Sequence, residues 1–507
     1  MQHLILLPLI LPLLGGLLML LPPLTESRVR QRNFALVLSA ATMLISVLLV
    51  QQAQQGETGV YAVGDWAAPF GIVMVADRLS TLLLLLTSVL AFCSLLYTFG
   101  PRDEEGSFFQ PLLQFQILGI NGAFLTGDLF NLFVFFEILL IASYGLLMFG
   151  GGKTRTRAGL HYVILNLAGS AIFLFALGIL YGTLGTLNIA DLALKVQQLD
   201  PAEAPLVRAG GLMLLIVFGL KAAMLPLQFW LPAAYAASTP AVAALFAIMT
   251  KVGIYAILRV FTVVFGDAAG PLSHIAGPWL WPLGLMTILI GSIGVLASQD
   301  LRRLIANLII VSVGTLLAVI AMQRENATAA ALYYLLHSTL ISGGLFLLAD
   351  LIARQRGKVG DRLVPGRGVG QGRLLGSLFF IGAIAVIGMP PLAGFVGKVL
   401  MLSAASSVAE MSWLWPLLLG SSLVTLIMLS RAGSTLFWNP AGKPVEILRA
   451  HPVQLLATVM LLAMPLLLSV FAGPVTQMVA ATAQQLHDVQ GQIGSVLPPM
   501  TQLVEVK

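Results

Sequence analysis

The sequence predicts an all-α membrane protein of about fourteen transmembrane helices, with two inverted five-helix repeats in each of which the fourth helix is broken. Three observations predict it. Only 9% of the 507 residues are charged and 58% are hydrophobic, whereas soluble domains carry roughly 25% charged residues, so lipid is the main solvent. Apolar runs recur along the whole chain, most close to the ~20 residues that one crossing requires. Two of these runs are too long for one crossing and carry prolines, which remove a backbone donor and interrupt a helix.

Taken in order, the runs fall at about 3–22, 33–51, 77–99, 108–126, 130–149, 158–182 and 207–236, then at about 240–265, 276–298, 303–322, 327–352, 373–408, 412–437 and 452–472. The first begins directly after Met1-Gln2-His3, with no basic n-region and no clear small-residue cleavage site, and is expected to stay as an uncleaved span. Spans one to three make an N-terminal unit over 1–100. Spans four to eight (108–265) form one set of five and spans nine to thirteen (276–437) a second. Span seven is interrupted at Met224-Leu225-Pro226 and span twelve at Gly388-Met389-Pro390-Pro391, so Pro226, Pro390 and Pro391 mark helix breaks at the fourth position of each set. An odd number of crossings turns the second set upside down, the arrangement of inverted-repeat transporters. Span fourteen (452–472) lies outside the repeats. The polar tail 473–507, with Pro498-Pro499, is expected to pack on a neighbour or stay loose.

The formal charge of +6 points to nucleic acid only if its sources cluster for that purpose, and here they sort by membrane side. Arg28, Arg30 and Arg32, then Lys153, Arg155 and Arg157, then Arg302 and Arg303 occupy alternate loops. Arg354, Arg356, Lys358, Arg362, Arg367 and Arg373 crowd the loop after span eleven. The positive-inside rule makes the first loop cytoplasmic and puts both termini outside. Arg102-Asp103-Glu104-Glu105 is net acidic on the predicted inner side, which the rule tolerates because it counts only Lys and Arg. Cys93 is the only cysteine, which excludes a disulfide framework and a thiolate metal site. Gly150-Gly151-Gly152-Lys153-Thr154 matches the end of a phosphate-binding loop, but Leu147 stands where the leading glycine belongs and the segment follows a membrane helix, so no nucleotide is expected there. No cysteine or histidine cluster suits zinc, haem or iron–sulfur, so no cofactor is expected.

Four ionisable residues lie deep in predicted spans: Glu137 in five, Lys221 before the break of seven, Lys251 in eight and Lys398 after the break of twelve. His337 lies mid-span in eleven. At ~2.5–3.5 kcal/mol for each charge at a helix centre, the four cost roughly 10–14 kcal/mol, comparable to the total stability of an ordinary domain. A function repays such a cost better than chance does. Burial favours the neutral form of both lysine and carboxylate while mutual attraction favours the charged pair, so moving one partner switches the other and a proton is held or released. Broken helices offer free backbone groups that order water beside Lys221 and Lys398. The plainer alternatives are a structural Glu137–Lys221 ion pair, a snorkelling Lys251 or Lys398, and a His337 that merely bonds across helices. Arg259, Asp350 and Arg431 lie toward span ends and are expected to snorkel or line an access channel. Asp77-Arg78 opens span three as a structural or interfacial pair.

Glu137, the stretch Lys221-Ala222-Ala223-Met224-Leu225-Pro226-Leu227-Gln228-Phe229-Trp230-Leu231-Pro232, Lys251 and the stretch from Gly388 through Lys398 together resemble the antiporter-like subunits of respiratory complex I. The resemblance covers nearly the whole chain. Trp66-Ala67-Ala68-Pro69-Phe70-Gly71-Ile72 leading to Asp77-Arg78-Leu79-Ser80, with Phe437-Trp438, is similar to the D subunits of the Mrp-type multisubunit cation/proton antiporters within that superfamily. The resemblance implies assembly with other membrane subunits in a bacterial plasma (inner) membrane. It also implies a proton path through Glu137, Lys221, Lys251, His337 and Lys398, and exchange of sodium, lithium or potassium for protons without a prosthetic group. Protons would pass from a water-filled half-channel in one repeat, along the row, to the other repeat. The sequence assigns no sodium site. Two other functions remain: a proton-pumping subunit of complex I or a membrane-bound hydrogenase, and a scaffold in which the charges only join helices.

Overall fold

The structure, a computed structural model, describes residues 2–66, 71–100, 106, 108–438, 441 and 449–497. Helix α1 (Leu7–Leu18) leads into α2 (Arg28–Gln54), which Ser27 caps by accepting from the Arg30 amide. An antiparallel hairpin of β1 (Gly59–Ala62) and β2 (Val73–Ala76) then delivers the chain to α3 (Arg78–Tyr97). Asp77 and Ser80 cap α3 reciprocally, each satisfying a backbone donor that the first helical turn leaves open. Next come α4 (Phe109–Leu125), α5 (Leu129–Met148), α6 (Lys153–Leu184) and a short amphipathic α7 (Ile189–Gln197). Gly150, Gly151 and Gly152 form the α5–α6 turn with φ of 82°, 61° and 96°, backbone that glycine adopts without a Cβ clash.

Helix α8 (Ala204–Ala222) stops where Ala223 turns to φ 62°, and the chain resumes helically as α9 (Trp230–Ala237). Pro240 opens α10 (Pro240–Phe246), followed by α11 (Met249–Val263). Helices α12 (Gly277–Ala297), α13 (Leu301–Ile320) and α14 (Glu325–Gln355) are continuous. Helix α15 (Gly372–Ile387) ends at Gly388, φ 80°, and α16 (Ala393–Ala404) continues after the two prolines. Last come α17 (Val408–Gly433), which runs into a π turn at Ser434–Trp438, α18 (Pro452–Val470), α19 (Ala472–His487) and α20 (Val489–Val496).

Among the described residues eleven helical segments are long and apolar enough to cross a membrane, and α1, α15 and α16 are shorter apolar helices. Each of the fourteen apolar runs holds a helix or an interrupted pair. The most apolar window of α10–α11 and of α14 is 100% buried, against 33% for α2, α17 and α18; the first two therefore form the centre, and the others present apolar faces outward.

Three features differ from the sequence expectation. The eighth span is not one helix: its ladder slips to three-residue spacing at Ala247→Ala244, Ile248→Leu245 and Lys251→Ile248, with no proline or glycine at the slip to announce it. The hairpin and α7 occupy stretches too short to read as spans. The tail contains α19 and α20, which pack on α3, α14, α11 and α7 of this same chain, so its described part is docked on its own bundle. Arg102-Asp103-Glu104-Glu105, Ala67 to Phe70 and Pro498-Pro499 lie outside the described residues.

A buried row of ionisable side chains

Helix α6 packs between α5 and α8, and its inner face organises the first two members of the row. Ser170 donates to the Glu137 carboxylate of α5 and to the Asn166 carbonyl, one turn earlier. Asn166 Oδ1 accepts from Lys221 Nζ at 3.2 Å, while its Nδ2 donates to the Tyr162 carbonyl at 2.8 Å. The amide orientation is thereby set, with the oxygen aimed at the ammonium. Phe136 lies beneath Lys221, 5.8 Å from Nζ to ring centroid, near enough for a cation–π attraction. Glu137 and Lys221 are each held by α6; the direct ion pair considered from the sequence is replaced by a Ser170–Asn166 bridge.

Lys251 is fully buried at the start of α11, just after the slip in the ladder. Its described hydrogen bond is a long one, 3.4 Å to Thr250 Oγ1. The helix sits tightly on the end of α8: a side-chain carbon at Gly253 would lie 2.5 Å from the Ala222 nitrogen, so glycine there sets how near Lys251 comes to the Lys221 break. His337 of α14 is 1% exposed and its Nδ1 has no partner among the described residues. Its other nitrogen faces the first turn of α16, where a carbon added at Gly394 would come within 2.8 Å. Lys398 of α16 reaches back across the break, donating to the Ile387 carbonyl at 2.7 Å and to Ser422 Oγ at 2.6 Å. Ile387 is the last residue of α15, so the ammonium satisfies a carbonyl that the interrupted helix leaves open. The three lysines meet neutral oxygen acceptors, which hold a protonated amine without cancelling its charge.

The remaining candidates are placed differently from the sequence reading. Asp77 pairs with Arg259, at 2.5 and 2.8 Å, and not with its neighbour Arg78. Arg259 is 5% exposed and also bonds Tyr255; it does not snorkel, because its partner lies inside. Asp350 is likewise buried and bonds Arg302, Arg354 and Tyr97 at 3.1, 2.9 and 2.8 Å. Arg431 is exposed and lines an outer cavity of about 720 Å³ with Arg303 and Arg362.

Three of the basic loops, those carrying Lys153, Arg302 and Arg362, meet at that end of the bundle. A second cavity of about 750 Å³ there is lined by Lys153, Arg157, His161, Arg302, Arg303 and Arg362, and by Trp230 of α9. Asp300, at its rim, caps α13; burial pushes its carboxyl above the usual range, with its hydrogen bond from the Arg303 amide and the nearby guanidinium groups pulling the other way. Tyr162, Asn166 and Ser170 were not singled out from the sequence, although their four-residue spacing puts them on one helix face and is visible there. Trp230 stands in the stretch that carries the resemblance, but nothing in the sequence marks it as part of a cavity wall.

Among known proteins, the transmembrane family described as NADH:quinone oxidoreductase/Mrp antiporter matches residues 126–427, an interval that contains all five row residues and both breaks. A Rhizobium meliloti (strain 1021) protein, named as the probable D subunit of a K(+)/H(+) antiporter, is 41% identical, over 96% of this chain and 96% of its own. A Bacillus subtilis (strain 168) protein, named as the D subunit of a Na(+)/H(+) antiporter, is 39% identical over 87% of this chain and 88% of its own. A chain in the structure of the Mrp complex from Dietzia sp. DQ12-45-1b is similar with a TM-score of 0.85 at 27% identity, covering 98% of this chain and 99% of that one.

Proposed function

The chain belongs to the NADH:quinone oxidoreductase/Mrp antiporter transmembrane family, and on that footing we propose that it is the proton-translocating D subunit of a multisubunit monovalent cation/proton antiporter. It works as a transporter subunit with no reaction chemistry of its own, beside other membrane subunits, in a bacterial inner membrane with both termini outside. The observation that carries this is the set of buried lysines, Lys221, Lys251 and Lys398, held by neutral oxygens at or beside helix interruptions. A group of that kind takes a proton when water reaches it and releases the proton when a neighbour gains charge.

In this mechanism the two five-helix sets are inverted repeats, all fourteen apolar runs cross the membrane, and each break serves one half-channel. Protons pass along Glu137, Lys221, Lys251, His337 and Lys398. Ser170 and Asn166 carry the electrostatic coupling of Glu137 to Lys221, and Lys398, released from the Ile387 carbonyl, opens the second break to water. The proton gradient drives exchange of sodium, lithium or potassium. The relatives' names bracket the cation, one naming potassium and another sodium.

The test is to express the chain with its operon neighbours in cells lacking sodium/proton antiporters, prepare everted vesicles, and follow a pH-sensitive dye on adding each cation. Cation-dependent proton movement should appear and be lost in Lys221→Ala with the complex still assembled. An assembled complex in which no cation moves protons would overturn the assignment.

A further inference from the structure

One side chain lines both the basic-face cavity and a small void against Lys221. The large cavity, about 750 Å³, has Trp230 in its wall together with Ala158 and His161 of α6. A second, small void of about 10 Å³ lies against Lys221 and Asn166, enclosed by Phe136, Leu140, Tyr162 and Met249, and again by Trp230. Its size is near the ~10–15 Å³ that one water needs. Trp230 is the residue common to the two linings.

The indole is held for that position. It is 3% exposed, whereas Phe229 beside it is 73% exposed. Its Nε1 donates at 3.2 Å to the Leu220 carbonyl, which also accepts the Ala223 amide at the end of α8. The ring lies on Tyr162, centroids 5.0 Å apart, and meets Tyr235 edge-on at 6.0 Å. Trp230 also begins α9, so any movement of α9 relative to α8 changes the indole's bond to Leu220 directly.

We infer that Trp230 is the partition that separates the water of the basic-face cavity from the Lys221 chamber, and that proton access to Lys221 from that face passes the indole. A closed indole leaves room for about one water against Lys221; a displaced one joins chamber and cavity. This rests on the proposed proton path and names the point at which one side of it is controlled.

The partition is tested without measuring transport. In a Cys93→Ser background, Leu140→Cys places a thiol in the chamber wall, and a membrane-impermeant methanethiosulfonate is applied to the assembled complex in vesicles of either orientation. With Trp230 in place labelling should be slow from both faces. Trp230→Ala should raise the rate at least tenfold from the basic face alone, Trp230→Phe should raise it little, and Trp230→Leu should lie between, which supplies a usable variant if Trp230→Ala does not assemble. Met249→Ala enlarges the chamber away from the cavity and should leave the rate unchanged. Equal rates with and without the indole, a rise from the opposite face, or an equal rise in Met249→Ala would each overturn the partition. These outcomes separate from those of the proposed function: unchanged labelling beside cation-driven proton movement that needs Lys221 removes the partition alone, while faster labelling with no cation-driven proton movement supports the partition and removes the antiport.

Discussion

Asn166 shows how a neutral residue governs a charged one. Its oxygen faces Lys221 because its nitrogen is committed to the Tyr162 carbonyl, and among the described residues it is the ammonium's hydrogen-bond acceptor. A hydrogen bond to a charged group contributes ~1.5–3 kcal/mol, and 1.4 kcal/mol is about tenfold in rate. Asn166→Leu should therefore lower cation-driven proton flux by about tenfold to a hundredfold in dye-quench assays, with native-gel assembly kept. Asn166→Asp places a carboxylate where the amide oxygen stood and should lower flux further, by holding the proton on Lys221; flux equal to wild type in both variants would remove Asn166 from the path. The lysines of the row were legible in the sequence because a charge inside an apolar run is costly wherever the helix lands. Asn166 and Ser170 were not, since small polar residues in membrane helices commonly bond their own backbone, and only the packing of α6 between α5 and α8 shows that they bond outward.

At the scale of helices, close crossings depend on missing side chains. A carbon at Gly314 of α13 would lie 2.5 Å from the Ile288 nitrogen of α12, and one at Gly284 of α12 would lie 2.6 Å from the Ala318 nitrogen of α13. The two glycines bring the backbones together where apolar faces alone have little to gain by leaving lipid. Gly314→Val should push α12 from α13. Overpacking typically costs ~1–3 kcal/mol, more here because the obstructing atoms are backbone, so the detergent-solubilised complex should melt several degrees lower; an unchanged melting temperature would show that the crossing tolerates a side chain. The breaks of α8 and α15 were legible from Pro226, Pro390 and Pro391, which cannot donate to the helix ladder. The interruption before Lys251 was not, because a slip from four-residue to three-residue bonding needs no special residue and is set by what α10 and α11 pack against.

For the molecule as a whole, the C-terminal helices tie one end of the bundle together. Arg78 donates its backbone N–H to Gln485 and its guanidinium to the Ala481 carbonyl, and Gln492 reaches Asp77. His487 bonds Thr328 of α14 at 2.9 Å. Burial holds the His487 imidazole below the ordinary histidine range, with Glu325 and Asp267 pulling upward and His274 adding to the depression. The undocked segment then binds more protons than the docked one at mildly acid pH. Docking is therefore strongest above pH ~6.5 and weakens as pH falls toward the lower, docked value. Hydrogen exchange across 472–496, corrected for intrinsic rates, should be faster at pH 5.5 than at pH 8, and His487→Gln should flatten the difference; a wild-type difference that survives in His487→Gln would assign it to another group.

Read alone, the sequence establishes the membrane class, the succession of apolar runs, two of the helix interruptions and the five ionisable residues of the row. Each of these follows from a local free energy: the transfer of a side chain or a charge into lipid, or the absence of a proline N–H. Which groups meet is settled by the folded bundle. Asp77 finds Arg259 across 182 residues, Asn166 and Ser170 stand between Glu137 and Lys221, the described part of the tail folds back on its own bundle, and Trp230 lines both a basic cavity and the void against a lysine. The reason is physical: once helices are in lipid, one apolar face resembles another to the sequence reader, and the choice among them is made by close packing and a few buried hydrogen bonds, whose partners lie far apart in the chain.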